Sequence, residues 1–284
     1  MDHEALKAWS FTDVRQSFTK RDTMLYALGL GLGADPTDRN QLRFAYERDL
    51  AALPTMAVVL GGPGMWLRDP RLRTDWKRLL HGEQGLTLLR PLPVEGTVIG
   101  RTRLTGVVDR GAEKGAFVFT ERDVIEASSG ERLALLQSTS VLRGDGGFGG
   151  PSGPTPVPHA LPTRPPDFAV DLPTLPQAAL IYRLSGDMNP LHADPEIATA
   201  AGFSRPILHG LCTFGVAGHA LLKGCCGYQP ERFKSMRARF SSPVYPGETI
   251  HTEIWRDGST VSFRASVIER GVVVLNNGHA EVTD

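Results

Sequence analysis

Cysteine is scarce in this chain of 284 residues: there are three, Cys212, Cys225 and Cys226. So small and odd a set cannot staple a disulfide framework, and it fits a reducing compartment. The adjacent Cys225-Cys226 pair lacks the CxxC or Cys/His spacing of a zinc site, so no metal is expected. Net charge is also missing, with 31 basic residues balancing 31 acidic ones. That removes the default expectation of a nucleic-acid partner or an anionic membrane surface. No basic-then-apolar leader opens the chain. The longest apolar stretch, "ILHGLCTFGVAGHALL" (207–222), is too short for a comfortable membrane crossing and reads as a buried helix. The ending "EVTD" is not a peroxisomal address of the Ser-Lys-Leu type. A cytosolic location follows as the expectation, and the richness in Arg, Ala, Gly and Pro hints at a bacterial source.

What the chain does have is a core and a repeat. Hydrophobic residues make up 41% and charged residues 22%, the balance of a globular protein. The Gly/Pro-dense stretch "RGDGGFGGPSGPTPVPHALPTRPPDFAV" (143–170) cannot sustain a helix or strand interior. It divides the chain into an N-terminal domain (1–145), a linker (146–168) and a C-terminal domain (169–284). Each half runs through the same order of events. A short helical segment bearing a Tyr comes first, "DTMLYALGLG" (22–31) and "QAALIYRLSGD" (177–187). A loop and a longer apolar segment follow, then a proline turn, "RPLPVEGTV" (90–98) and "SPVYPGETI" (242–250). Both halves close with alternating apolar segments broken by turn residues. In the second, Val261, Phe263, Ala265 and Val267 fall on one strand face between the hairpin signals Asp257-Gly258 and Arg270-Gly271. A duplicated unit, helix first and antiparallel meander after, explains this better than two unrelated α+β domains.

Chemistry gathers in "YRLSGDMNPLHADP" (182–195). Asn189-Pro190 and Asp194-Pro195 disfavour helix before each proline, so the stretch reads as a loop on a rigid scaffold. A carboxylate at Asp187 and an imidazole at His192 form a proton-transfer pair whose properties burial can set apart. Asn189 can orient either group, or a water between them. The plainer alternative is a turn whose Asp and Asn cap the backbone and whose His is merely exposed. Against it stands "PILHGLCTFG", where His209-Gly210 opens the apolar helix. A glycine there presents a backbone N–H with the positive end of the helix dipole behind it, a donor suited to an oxyanion. His209 itself reads as an ordering residue for that turn.

These residues carry a resemblance. "YRLSGDMNPLHADPEIATAAGFSRPILHGLCTFG" resembles the hydratase 2 motif of the MaoC-type enoyl-CoA hydratases, and the likeness continues through "ARFSSPVYPGETI". In the first half it covers "DTMLYALGLGLGADPTDRNQLRFAYE", "LPTM" and "LLHGEQGLTLLRPLPVEG", so it spans nearly the whole chain in its two-domain, eukaryotic-like form. The resemblance implies an α+β double hotdog, two antiparallel sheets each wrapped around a long central helix. It implies reversible syn hydration of trans-2-enoyl-CoA to (R)-3-hydroxyacyl-CoA, a hydro-lyase reaction of fatty-acid β-oxidation. Asp187, Asn189 and His192 would activate the water, and Gly210 N–H would hold the thioester oxygen. Tyr182, Asp194 and His209 are possible accessory positions.

The first half lacks the dyad, since aligning Tyr26 with Tyr182 places Gly31 where Asp187 sits. That half is expected to accommodate the acyl chain. Glu47 in "FAYE" matches an acidic position important in the family; its other reading is a solvated helix-end carboxylate. His81, with Gly82, mirrors His209-Gly210 across the repeat; the pair joins the candidates for coenzyme A binding, and the plainer reading of His81 is structural. The basic run "RFKSMRARF" (232–240) offers Arg237 and Arg239 on one strand face and Lys234 on the other as candidates for coenzyme A phosphates; the alternative is a solvated strand. The partner implied is an acyl-CoA substrate, with a homodimer left open and no cofactor beyond the coenzyme A of the substrate. Two other readings stay in play: a dehydratase acting on a branched, dicarboxylic or carrier-bound acyl thioester, and a hotdog thioesterase or acyl-thioester-binding protein.

Overall fold

A computed structural model describes residues 1–283. The N-terminal half contributes β1 Val14–Phe18, β2 Leu79–Leu88, β3 Gly96–Asp109, β4 Ala116–Glu126 and β5 Arg132–Leu142. The C-terminal half contributes β6 Phe168–Pro173, β7 Phe233–Phe240, β8 Thr249–Asp257, β9 Thr260–Val267 and β10 Val272–Val282. Their order across the sheet is β1-β3-β4-β5-β2-β7-β10-β9-β8-β6. Counted outward from the β2–β7 seam, both halves place their second, fifth, fourth, third and first strands in turn. The repeat read from the sequence is therefore present in the strand order, and the architecture is a double hotdog.

Two details of the expected fold need correction. The two sheets are not separate: β2 and β7 pair from Glu83↔Arg239 to Thr87↔Ser235, which joins them into one antiparallel sheet and removes two open edges. And only the C-terminal half holds a long central helix. The helices are α1 His3–Lys7, α2 Lys20–Gly29, α3 Arg39–Ala45, α4 Ala178–Tyr182, α5 Pro195–Ala200 and α6 Gly210–Cys226. Where the first half should hold its counterpart of α6, it has the 3₁₀ segment Pro54–Val59. The local sequence explains why. Pro54 starts the turn, the β-branched Val58-Val59 pair is a poor helix former, and Gly61-Gly62-Pro63-Gly64 follows at once. Gly61 and Gly64 take left-handed backbone conformations, with φ of 62° and 66°, that end any helix.

Helix α6 is apolar nearly all round, as a helix enclosed by the core must be. The predicted face of β9 packs in the core beneath it, with Val261, Phe263, Ala265 and Val267 fully buried. Small residues on α6 let the first half approach: a side chain at Gly218 would come within 2.5 Å of Thr55 Cγ2, and Met236 Sδ on β7 lies 3.5 Å away. The two Tyr-bearing helices also meet, with the rings of Tyr26 and Tyr182 centred 5.8 Å apart. The connection between the halves crosses the opposite, outer face of the sheet. There His159 meets Ser262 Oγ at 2.7 Å, Asn277 Nδ2 donates to the His159 carbonyl, and Trp255 Nε1 donates to the Arg164 carbonyl. This leaves the inner face, with α6 and the loops around it, for the chemistry. No helix of the described residues is long and apolar enough to cross a membrane.

Candidate active site

Three of the predicted residues converge. One carboxylate oxygen of Asp187 and one ring nitrogen each of His192 and His209 lie within 4.8 Å of one another. The loop that brings them together is held by its own polar groups. Asn189 N–H donates to Asp187 Oδ1 at 3.1 Å, and Asn189 Oδ1 accepts from Leu191 N–H at 3.2 Å, capping the 3₁₀ turn Pro190–His192. Asn189 thus fixes the carboxylate and starts the turn that carries the imidazole.

Each histidine is locked as one tautomer. His192 Nδ1 lies 2.8 Å from the Ile207 carbonyl oxygen, and since a carbonyl only accepts, Nδ1 carries the proton and Nε2 keeps its lone pair. His209 donates from Nε2 to the Asp187 carbonyl at 3.1 Å, and its Nδ1 is buried without a partner. The two rings stack, centroids 3.8 Å apart at 28°. Burial is the main influence holding His192 below the ordinary imidazole pKa, and the Arg183 charge adds to it. The Ile207 bond and the Asp187 carboxylate oppose the shift. His209 is held low by burial and by His192 beside it. Both imidazoles are therefore held neutral near pH 7, the form in which an imidazole can accept a proton.

Helix α6 begins directly after His209, so Gly210 stands at its first position, where the N–H has no acceptor within the helix. A Cβ on Gly210 would lie 3.2 Å from the Phe240 ring, which leaves little room for any larger residue. Phe240 in turn packs on His81, centroids 4.7 Å apart. His81 Nε2 sits 3.0 Å from both the Glu83 carbonyl and Ser138 Oγ, and burial drives its pKa down to about 4. Gly82 forms a bulge in β2, where a side chain would meet Val141 at 2.7 Å. His81 thus reaches α6 through Phe240 from the first half's side.

Other predicted residues stand elsewhere. Tyr182 is buried with its ring 5.1 Å from His209, so it packs behind the dyad. Asp194 caps α5 through the N–H groups of Glu196 and Ile197. Glu47 is exposed on the turn after α3, and among the described residues it makes no hydrogen bond or ion pair with the Asp187 loop. Arg237 and Arg239 share a face as expected, but it is the outer face, opposite the buried Met236 and Ala238. They bridge the seam between the halves: Arg237 donates to Gln137 at 2.5 Å and Arg239 pairs with Glu83. Lys234 is exposed and donates to the Glu231 carbonyl. A cavity of about 440 Å³, lined by Glu83, Gln137, Arg237 and Pro154, lies on this same outer face and away from the dyad.

Sequence reasoning passed over Arg183 and Phe240. Arg183 Nη2 donates to the Met188 carbonyl at 3.1 Å and buttresses the loop. Its signal was its place between Tyr182 and the "SGD" turn. Phe240 had none, because its contact with Gly210 is made only when β7 reaches α6.

An acid and an imidazole on a capped loop, facing the start of a helix in a double hotdog, define an acyl-thioester hydro-lyase of the MaoC type. A family model described as the MaoC like domain matches residues 158–278, and one described as the MFE-2 hydratase 2 N-terminal domain matches residues 16–144. The chain is 40% identical to a peroxisomal enoyl-CoA hydratase 2 of Arabidopsis thaliana, over 96% of this chain and 93% of that one. It is 42% identical to the 3-hydroxyacyl-thioester dehydratase Y of Mycobacterium tuberculosis, covering 93% and 92%. A crystal structure of a MaoC-like dehydratase from Phytophthora capsici superposes with a TM-score of 0.86 at 37% identity, covering 100% and 99%. The chain belongs to the enoyl-CoA hydratase 2 family, and its reaction is the hydration of enoyl-CoA.

Proposed function

We propose that Asp187 and His192 carry this hydration, converting trans-2-enoyl-CoA to (R)-3-hydroxyacyl-CoA, with Gly210 N–H as the donor to the thioester oxygen. The observation that carries the proposal is the tautomer of His192: Nδ1–H is committed to Ile207, so Nε2 is a free base beside the Asp187 carboxylate. A water between the two groups gives its oxygen to C3 and one proton to the dyad. The dyad returns a proton to C2 on the same face, so the elements of one water add syn. As the C2–C3 double bond takes up the hydroxyl, negative charge moves onto the thioester oxygen. The first N–H of α6, with the helix dipole behind it, stabilises that charge as it develops. No metal or redox group has a part in this scheme.

The N-terminal half serves the acyl chain in this reading. Support comes from the missing helix, since a 3₁₀ segment of six residues takes less of the inner face than the 17-residue α6 does. A cytosolic homodimer is part of the same inference, and three free, buried cysteines fit a reducing compartment. Cell fractionation and sedimentation test those two points.

The experiment that separates this reading from a thioesterase follows crotonyl-CoA and a decenoyl-CoA by loss of enoyl-thioester absorbance, with free thiol measured in parallel. Absorbance should fall with no thiol released. Thiol release without a hydroxyacyl product would replace the hydratase reading with hydrolysis.

A further inference from the structure

On the inner face of the N-terminal half-sheet lies a cation without an anion. Arg122 on β4 stands opposite Leu136 on β5, Leu136 opposite Leu86 on β2, and Leu86 opposite Met236 on β7. Directly paired residues share a face, and Met236 lies against α6, so Arg122 points inward. Nη2 donates to the Val58 carbonyl at 2.7 Å, at the end of the short 3₁₀ segment. Nε is sealed from solvent and has no acceptor. Among the described residues no carboxylate pairs with it, and burial lowers its pKa to about 10. Thr102, the residue paired with Arg122 on β3, is in the same condition, with Oγ1 buried and unpartnered.

Buried polar groups are almost always satisfied, and buried charges are paired. Two open groups on adjacent strands, facing the same way, describe a place for an acceptor. The place also communicates with the chemistry. His81 is within electrostatic reach of both regions: the Asp187 carboxylate favours its charged form and the Arg122 guanidinium opposes it.

We propose that Arg122 and Thr102 form a subsite for a carboxylate at the far end of the substrate's acyl chain, so that the enzyme accepts ω-carboxylated trans-2-enoyl thioesters. This rests on the hydratase reading above. Nε–H and the threonine hydroxyl can each donate to one oxygen of a single carboxylate, and guanidinium geometry suits that group. Along β4, Arg122 stands between Val118 of one buried apolar cluster and Val124 of the other, which includes much of α6. An anion reaches it more readily on the end of a hydrocarbon chain than alone from water. A methyl terminus would leave Arg122 Nε and the Thr102 hydroxyl without an acceptor, and sites with unmet buried polar groups discriminate strongly against such ligands.

The test compares kcat/KM for ω-carboxyl and methyl-terminated trans-2-enoyl-CoA of matched length, across a length series. Wild type should prefer the carboxylated member by about 10-fold or more at its best length. Arg122→Met should bring the ratio to about 1, and Thr102→Val should lower it part of the way; thermal melts establish that both variants fold. Equal kcat/KM for the pair in wild type, unchanged in Arg122→Met, would overturn this inference and leave the hydratase reading standing. Failure to hydrate either member would remove the hydratase reading itself. Thermal stabilisation of wild type by a free dicarboxylate, without any preference among the thioesters, would assign the subsite to a free anion and overturn the substrate claim.

Discussion

His192 and His209 stack with centroids 3.8 Å apart, and each donates to a backbone carbonyl beside the other's end of the loop: His192 to Ile207, His209 to Asp187. The catalytic loop is thus closed by two crossed hydrogen bonds, one anchored at the root of α6. That arrangement sets both tautomers, holds the Asp187 backbone in place, and leaves His192 Nε2 clear of both carbonyl bonds. In the proposed mechanism, preorganisation of this kind would let the dyad act without rearranging at each turnover.

The acid limb of the rate profile should report His192. The base works when neutral, and burial holds its folded pKa below 6.5, so kcat/KM should stay level down through pH 6.5 and fall only at lower pH. Arg183 disfavours the charged ring, so Arg183→Met should move the limb to higher pH; Asp187→Asn should move any residual activity the other way. Steady-state rates across pH for the three proteins check the signs.

Stability should fall on acidification before most carboxylates titrate. His81 and His219 are pushed from 6.5 to about 4, burial being the first cause in each. Their folded pKa is depressed, so between pH 6.5 and 4 the unfolded chain binds more protons than the folded one. The stability they contribute is full above about pH 6.5 and is lost as pH drops toward 4. Urea melts at stepped pH should show the midpoint falling through that window, and a flat midpoint would contradict the burial of these rings.

Gly210→Ala should cost both packing and rate. The new Cβ meets the Phe240 ring at 3.2 Å, a tight fit that calls for about 1 kcal/mol or more of adjustment. Shifting the first N–H of α6 from the oxyanion should lower kcat about 10-fold or more. Gly210→Ala with Phe240→Leu should recover part of the stability, which thermal melts and kcat together would reveal.

Chelation should leave the rate unchanged. Asp187, His192 and His209 are close enough to hold a cation, yet two of their four ring nitrogens are already bonded to carbonyls. Activity that survives exhaustive EDTA supports the water-only scheme; activity lost to EDTA and restored by zinc would make the cluster a metal site.

Much of this was legible in the chain. The Gly/Pro connection, the β9 alternation and the matched Tyr segments announced a duplicated unit because period and turn chemistry are local properties. Asp187, Asn189 and His192 were legible for the same reason, lying within one short loop. The missing first helix was signalled by Pro54 and by Gly61-Gly62-Pro63-Gly64, but the expected symmetry outweighed those local cues. Arg237 and Arg239 showed their shared face and not which face it was, because that depends on the partner strand across the seam. Arg122 gave no sign at all: its lack of a counter-ion is a property of the three-dimensional surroundings.

The most direct measurement is chiral analysis of the product from decenoyl-CoA, with wild type beside Asp187→Asn and His192→Ala. The account predicts (R)-3-hydroxydecanoyl-CoA from wild type, and a loss of about 10²- to 10⁴-fold in kcat for each variant, with both still folded. An (S) product, or a variant of either residue that turns over at the wild-type rate, would contradict it.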